Sequence, residues 1–175
     1  MSRNKNINRR NFLPVLFFYF LLTSFSSAAS NYSIYFVPHA ETVDDAKDSP
    51  LTRCGKFRAK QLATLLSKAH ITQVYSTHYK AAVQTARALS NQQKIAIKTY
   101  NPNYLAQVNL QLHQQKKNTL VVGSHNTIPR LIYLLTQKTI VPLSEQDHQQ
   151  LYQVQVINKS ITLTTFQQPL SCKSY

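Results

Sequence analysis

The sequence predicts an α/β fold, a three-layer αβα sandwich in which one sheet is covered by helices on both faces. Two observations predict it. From residue 32 to residue 136, short β-branched and aromatic runs alternate with stretches of helical periodicity, the pattern of strand–helix–strand units. The alternation then gives way to two period-2 runs around a short polar turn, which reads as a terminal hairpin.

Each element follows from its residues. Residues 32–37 (YSIYFV) form the first strand, and 43–50, with three Asp and a Pro, a polar loop. Ala59, Leu62, Leu65, Leu66 and Ala69 recur at helical spacing and predict a helix over 52–69. A short strand at 72–75 precedes a helix at 79–89, with Val83 and Ala86 on its inner face. A strand at 94–99, a helix at 104–114 and a compact apolar strand at 119–123 follow. Residues 128–136 form a helix entered through Pro129, which suits a first turn whose N–H groups are unpaired anyway. Residues 151–157 and 161–166 alternate and are joined by Asn158, Lys159 and Ser160. In open α/β sheets ligands lie beyond the carboxyl ends of the strands. That rule singles out the stretches just after Val37, Tyr75 and Val122.

The chain is expected to divide into a signal peptide, 1–29, and one domain, 30–175. Arg3, Lys5, Arg9 and Arg10 precede a short apolar run from Phe12 to Leu22, and Ser27 and Ala29 are spaced for cleavage. A membrane span needs about 20 apolar residues, so no transmembrane segment is expected after cleavage. The domain is then exported, to a periplasmic or extracellular location.

Twenty Lys and Arg stand against six Asp and Glu, and removal of the leader leaves a net charge of +10. Such a balance favours anionic partners. The basic residues are scattered, without an arginine-rich stretch or interleaved aromatics, so a solvated surface is expected rather than a nucleic-acid interface. Cys54 and Cys172 are expected to be lone thiols, although export would permit a disulfide. The six histidines have no metal-ligand spacing, and neither a metal nor any other cofactor is expected. Oligomeric state is not legible.

Five segments in order carry a resemblance: IYFVPHAET (34–42), PLTRCGKFRAKQLATLL (50–66), YSTHYKAAVQTARAL (75–89), LVVGSHNTIPRLI (120–132) and LSEQDHQQLYQVQV (143–156). Together they resemble the histidine phosphatase superfamily, also called phosphoglycerate mutase-like, in its small exported branch. The resemblance implies that fold and a phosphoryl transfer through a phosphohistidine. It also implies a set of four phosphate-holding groups. These are the nucleophilic His with an Arg before it, a second Arg after the second strand, and a second His after the fourth segment's Gly. A nearby carboxylic acid protonates the leaving group. Arginine suits the task because its planar fork meets two phosphoryl oxygens at once.

Carried over residue by residue, His39 matches the nucleophile; Glu41, two residues on, is the candidate general acid, with Asp44, Asp45 and Asp48 also near. The first Arg falls on Pro38, the second on Ala81, and the second His on Ser124. A histidine follows one place later, at His125. A one-residue shift near a strand end turns a side chain away, yet His125 is the best candidate to compensate if the loop rearranges. Ser124 offers a weak hydroxyl to a phosphate oxygen. Lys80 and His78 lie near the lost arginine, Arg53 and Arg130 read as solvated, and Gln84 and Thr85 as docking residues of their helix. The resemblance thus predicts a pseudo-enzyme, inactive or very weak, that retains binding of a phosphorylated or anionic small molecule or protein. The alternatives are an active phosphomonoesterase using His39 with a rebuilt pocket of His125 and Ser124, and a structural or interaction protein of the cell envelope.

Overall fold

A computed structural model describes residue 1, residues 31–46 and residues 48–169. The signal segment and Cys172 lie outside the described residues. The elements run β1 (Tyr32–Pro38), α1 (Arg53–Leu65), β2 (Gln73–Thr77), α2 (Lys80–Gln93), β3 (Ile97–Tyr100), α3 (Leu105–Gln115), β4 (Thr119–Gly123), α4 (Thr127–Thr136), β5 (Gln150–Ile157) and β6 (Ser160–Gln167). They form a six-stranded sheet in the order β3-β2-β4-β1-β5-β6. The first four strands are parallel, and β5 and β6 add an antiparallel edge.

Alternation along the strands divides the core between two faces. Ile34, Phe36, Tyr75 and Val121 pack with Val108 and Leu112 of α3 and with Leu131 and Leu135 of α4. Val37, Val74, Leu120 and Val122 turn the other way, onto Leu62 and Leu66 beside α1 and Ala86 and Leu89 of α2. This is the three-layer arrangement the alternation predicts, and its central strands are buried on both sides. No helix among the described residues is long and apolar enough to cross a membrane.

Boundaries differ from the expectation by a few residues. The first helix ends at Leu65, and Leu66 closes it through bonds from its N–H to the Leu62 and Thr64 carbonyls. The strand expected from residue 94 begins at Ile97, because Lys94 is spent ending α2 in a left-handed conformation. The β5–β6 turn uses only Asn158 and Lys159, both with positive φ, the geometry that matches the right-handed twist of a two-residue hairpin. The expectation of a lone thiol at position 54 is corrected: Cys54, in the first turn of α1, is disulfide-bonded.

The chain's two glycines are used for close approach rather than for turns. A Cβ on Gly55 would lie 2.4 Å from the Glu41 carbonyl oxygen, and one on Gly123 would lie 2.3 Å from Thr127 Oγ1. Gly55 lets α1 press against the loop after β1, and Gly123 lets β4 turn tightly into α4. Three helices therefore close on exposed, non-glycine residues in the left-handed region: Lys94, Lys116 and Gln137, with φ of 56°, 48° and 57°. A side chain there costs about 1–2 kcal/mol that glycine avoids, offset in part by glycine's larger entropy loss on folding. Lys94→Gly, Lys116→Gly and Gln137→Gly are each expected to stabilise the domain by about 0.5–1 kcal/mol in urea titration.

Candidate functional site

The carboxyl ends of β1 and β4 are neighbours, with Pro38 paired to Gly123 and the His39 N–H donating to the Gly123 carbonyl at 2.8 Å. This places His39 at the mouth of the sheet, half-buried. Its Nδ1 donates to the Ala40 carbonyl at 3.0 Å, which fixes the tautomer and leaves Nε2 with its lone pair. Burial pushes His39 below its ordinary value, and the charge of His148 acts the same way. The Ala40 bond and the field of Glu145 oppose them. At neutral pH His39 is an uncharged nitrogen base. The site segment is tied to α2 by the Ala40 N–H, which donates to Thr85 Oγ1 at 3.0 Å, and by the Leu51 N–H, which donates to Gln84 Oε1 at 2.8 Å. Gln84 and Thr85 thus dock their helix.

His125 reaches the pocket despite its displacement by one residue. Its ring centroid is 5.2 Å from that of His39 and 5.2 Å from that of His148, edge-on to both. The turn from β4 into α4 makes this possible. Ser124 Oγ accepts from the Thr127 N–H at 3.2 Å, while the Ser124 N–H donates to Thr127 Oγ1 at 2.8 Å. This reciprocal turn re-aims residue 125 instead of continuing the strand's alternation. It also commits the Ser124 hydroxyl locally. His125 is only 2% exposed, and neither ring nitrogen makes a hydrogen bond. Glu145 Oε2 is 3.2 Å from its Nδ1, close enough for an ion pair though outside hydrogen-bond alignment. Burial first, then His39 and His148, push His125 down to about 4, against the fields of Glu145 and Asp147.

His148 completes the cluster, and sequence reasoning did not single it out. Its Nδ1 donates to the His39 carbonyl at 2.9 Å, and its ring centroid is 5.9 Å from that of His39. Its place follows from the sheet register, which the sequence does not dictate. The β1–β5 register pairs Phe36 with Tyr152, and extending that antiparallel register puts residue 148 opposite residue 40. Among the described residues, no group of three or more His, Cys, Asp or Glu is arranged to hold a metal ion.

Glu41 is held by a buried arginine. Arg58 Nε lies 2.9 and 3.0 Å from the two carboxylate oxygens, with Nη2 closing a second contact. Burial works to raise the Glu41 pKa, but the Arg58 hydrogen bonds and charge outweigh it and hold the carboxyl below its usual range. A carboxylate so held is a structural anion and a poor proton donor. Arg58 is the one Arg or Lys that is buried among the described residues, and its guanidinium is engaged by Glu41.

The remaining positions take other roles. Pro38 is buried at the end of β1. Ala81 is 5% exposed and packs with Ala40, Leu51 and Ala59 in a small apolar cluster. Lys80 turns to Asp48, with Nζ 3.2 Å from Oδ2 and its N–H 2.8 Å from Oδ1. His78 is exposed, its ring tilted against that of Tyr79 with centroids 4.1 Å apart. Arg53 and Arg130 are exposed, as expected of solvated residues.

Comparisons with known proteins accord with this geometry. The model of the histidine phosphatase superfamily (branch 1) matches residues 34–101, which run from β1 to the end of β3 and hold His39, Glu41 and Ala81. The fold is similar to that of the protein histidine phosphatase SixA in complex with tungstate. Identity there is 16%, the TM-score is 0.61, and the match covers 77% of this chain and 96% of SixA. It is also similar to a mycobacterial glucosyl-3-phosphoglycerate phosphatase, at 11% identity and a TM-score of 0.60 over 81% of this chain and all of that one. No curated protein sequence gives a significant match.

Proposed function

We infer that this chain, which is similar to the histidine phosphatase superfamily over residues 34–101 and presents no fixed cation to His39 among the described residues, is a pseudo-phosphatase, a domain that keeps the fold and has lost phosphoryl transfer. The observation that carries this reading is the fate of the positive charge. A phosphate monoester is dianionic near neutral pH, and its transfer depends on donors already aimed at the phosphoryl oxygens. Here position 38 is a buried proline and position 81 sits in an alanine cluster. Arg58 is bound to Glu41, and Lys80 to Asp48. His125 remains neutral at pH 7, its pKa having been pushed down to about 4. Burial therefore withholds the one rebuilt group that would supply charge.

A second reading, an active phosphomonoesterase with a rebuilt pocket, draws support from the fixed His39 tautomer and from the arrival of His125 beside it. A single assay separates the two. Hydrolysis of p-nitrophenyl phosphate from about pH 5 to 8 is expected to be the same for the domain and for His39→Ala. Turnover that disappears in His39→Ala would overturn the pseudo-phosphatase and establish the rebuilt site. Export to the periplasm or beyond belongs to the same proposal and rests on the leader pattern alone.

A further inference from the structure

The chain's acidic residues are segregated. All six Asp and Glu, namely Glu41, Asp44, Asp45, Asp48, Glu145 and Asp147, fall in two short stretches. One is the loop after β1 and the other the loop before β5, so the four helices among the described residues carry none. These are the loops that deliver His39 and His148. Glu145 and Asp147 act electrostatically on His125, Glu145 on His39, and Glu41 on His148. Glu41 and Asp48 are offset by Arg58 and Lys80. Glu145, 78% exposed, lies against the neutral His125 and within the field of His39. The histidine pocket of a strongly basic protein is therefore bordered by carboxylates.

The hydrogen-bonding capacity of the pocket points the same way. His39 and His148 each spend their Nδ1 proton on a backbone carbonyl, so in the neutral rings each Nε2 is an acceptor. A proton at Nδ1 of His125 suits the Glu145 carboxylate 3.2 Å away and leaves a third Nε2 acceptor. That ring is nine-tenths buried and more, and it makes no hydrogen bond, a cost tolerated where a ligand supplies the missing partner. Three imidazole acceptors and a carboxylate rim oppose lone pair to lone pair against a phosphate. They match a group that brings only donors.

We propose that the His39–His125–His148 pocket binds an organic cation, an ammonium or guanidinium of the kind that ends a lysine or arginine side chain, and has thereby inverted the charge preference of its fold. The donors of the cation meet the Nε2 atoms, and Glu145 and Asp147 supply the countercharge. The proposal rests on the reading that phosphoryl transfer at His39 has been lost, and the phosphate arm below tests that reading separately from cation binding.

The test uses the domain with 15N-labelled histidine at about pH 7.5, above the ordinary imidazole value. It is titrated in separate arms with agmatine, butan-1-ol, inorganic phosphate and zinc ions, and the ring nitrogen resonances are followed. Agmatine is expected to shift the acceptor nitrogens of His39 and His125 saturably, while butanol and phosphate leave them in place. Added salt weakens the binding. Glu145→Gln, at an exposed position that leaves folding intact, weakens it about threefold to fivefold. Phosphate shifting the rings at lower concentration than agmatine would overturn the proposal. So would a response to zinc without one to agmatine, or agmatine binding indifferent to Glu145→Gln.

Discussion

Arg58→Met is expected to destabilise the domain by about 3 kcal/mol in urea-induced unfolding, the low end of what breaking a buried ion pair costs. The low end applies because the Glu41 side chain keeps 18% of its exposure, against 5% for Arg58. The loss arises from the carboxylate left behind more than from the vanished attraction. Glu41 would remain half-buried beneath α1 with no guanidinium on its oxygens. Glu41→Leu together with Arg58→Met therefore recovers most of the lost stability, since well-packed apolar pairs replace buried ion pairs at little cost. The pH dependence has a definite sign. The folded-state pKa of Glu41 is depressed, so its contribution is complete above the unfolded carboxyl value of about 4.3. It disappears as pH falls through the lower folded value. The gap between wild type and Arg58→Met should close on acidification. A gap that stays constant into acid would mean that Arg58 acts through packing alone.

The second large effect is a gain of chemistry. Pro38→Arg, Ala81→Arg, Ser124→His and His125→Ser made together are expected to raise p-nitrophenyl phosphate hydrolysis by at least about 10²–10³ over the unmodified domain. Each change alone yields far less, because such groups act as a unit. The gain should vanish when His39→Ala is added. The cost is also legible. Position 81 is buried among Ala40, Leu51 and Ala59, and a guanidinium stem must pass out of that cluster, a strain of about 1–3 kcal/mol. A restored variant that folds, binds vanadate and still fails to turn over would show that His39 is not placed for in-line attack. One that folds and does not bind vanadate would sink the assignment of positions 38, 81 and 124.

The fold was legible because alternating apolar runs of the right lengths leave few arrangements other than a covered sheet. The position of His39 was legible because it closes a strand inside a recognisable segment. Two features were not. Arg58 lies one turn before Leu62 on the inward face of α1, but a search for apolar periodicity passes over a charged residue. Its burial goes with Glu41 waiting opposite, seventeen positions earlier. His148 belongs to an irregular stretch whose neighbours carry no periodicity, and it meets His39 across 109 residues. That contact depends on β5 joining β1, and hydropathy does not dictate which strand a hairpin joins. The reach of His125 depended on the Ser124–Thr127 turn, a local hydrogen-bonding competition that overrides strand alternation.

The three helix ends closed by Lys94, Lys116 and Gln137 have a meaning for the mutational history open to this chain. Each is a place where one substitution remote from the histidines would relieve strain without touching function. Such sites give a domain tolerance: gains at the helix ends can offset what an intruding arginine or a reshaped loop removes at the mouth of the sheet. A selection experiment that starts from the glycine-capped form should therefore accept a wider range of pocket replacements than one that starts from the native chain, and the accepted changes should cluster around Ala81 and the turn at Ser124.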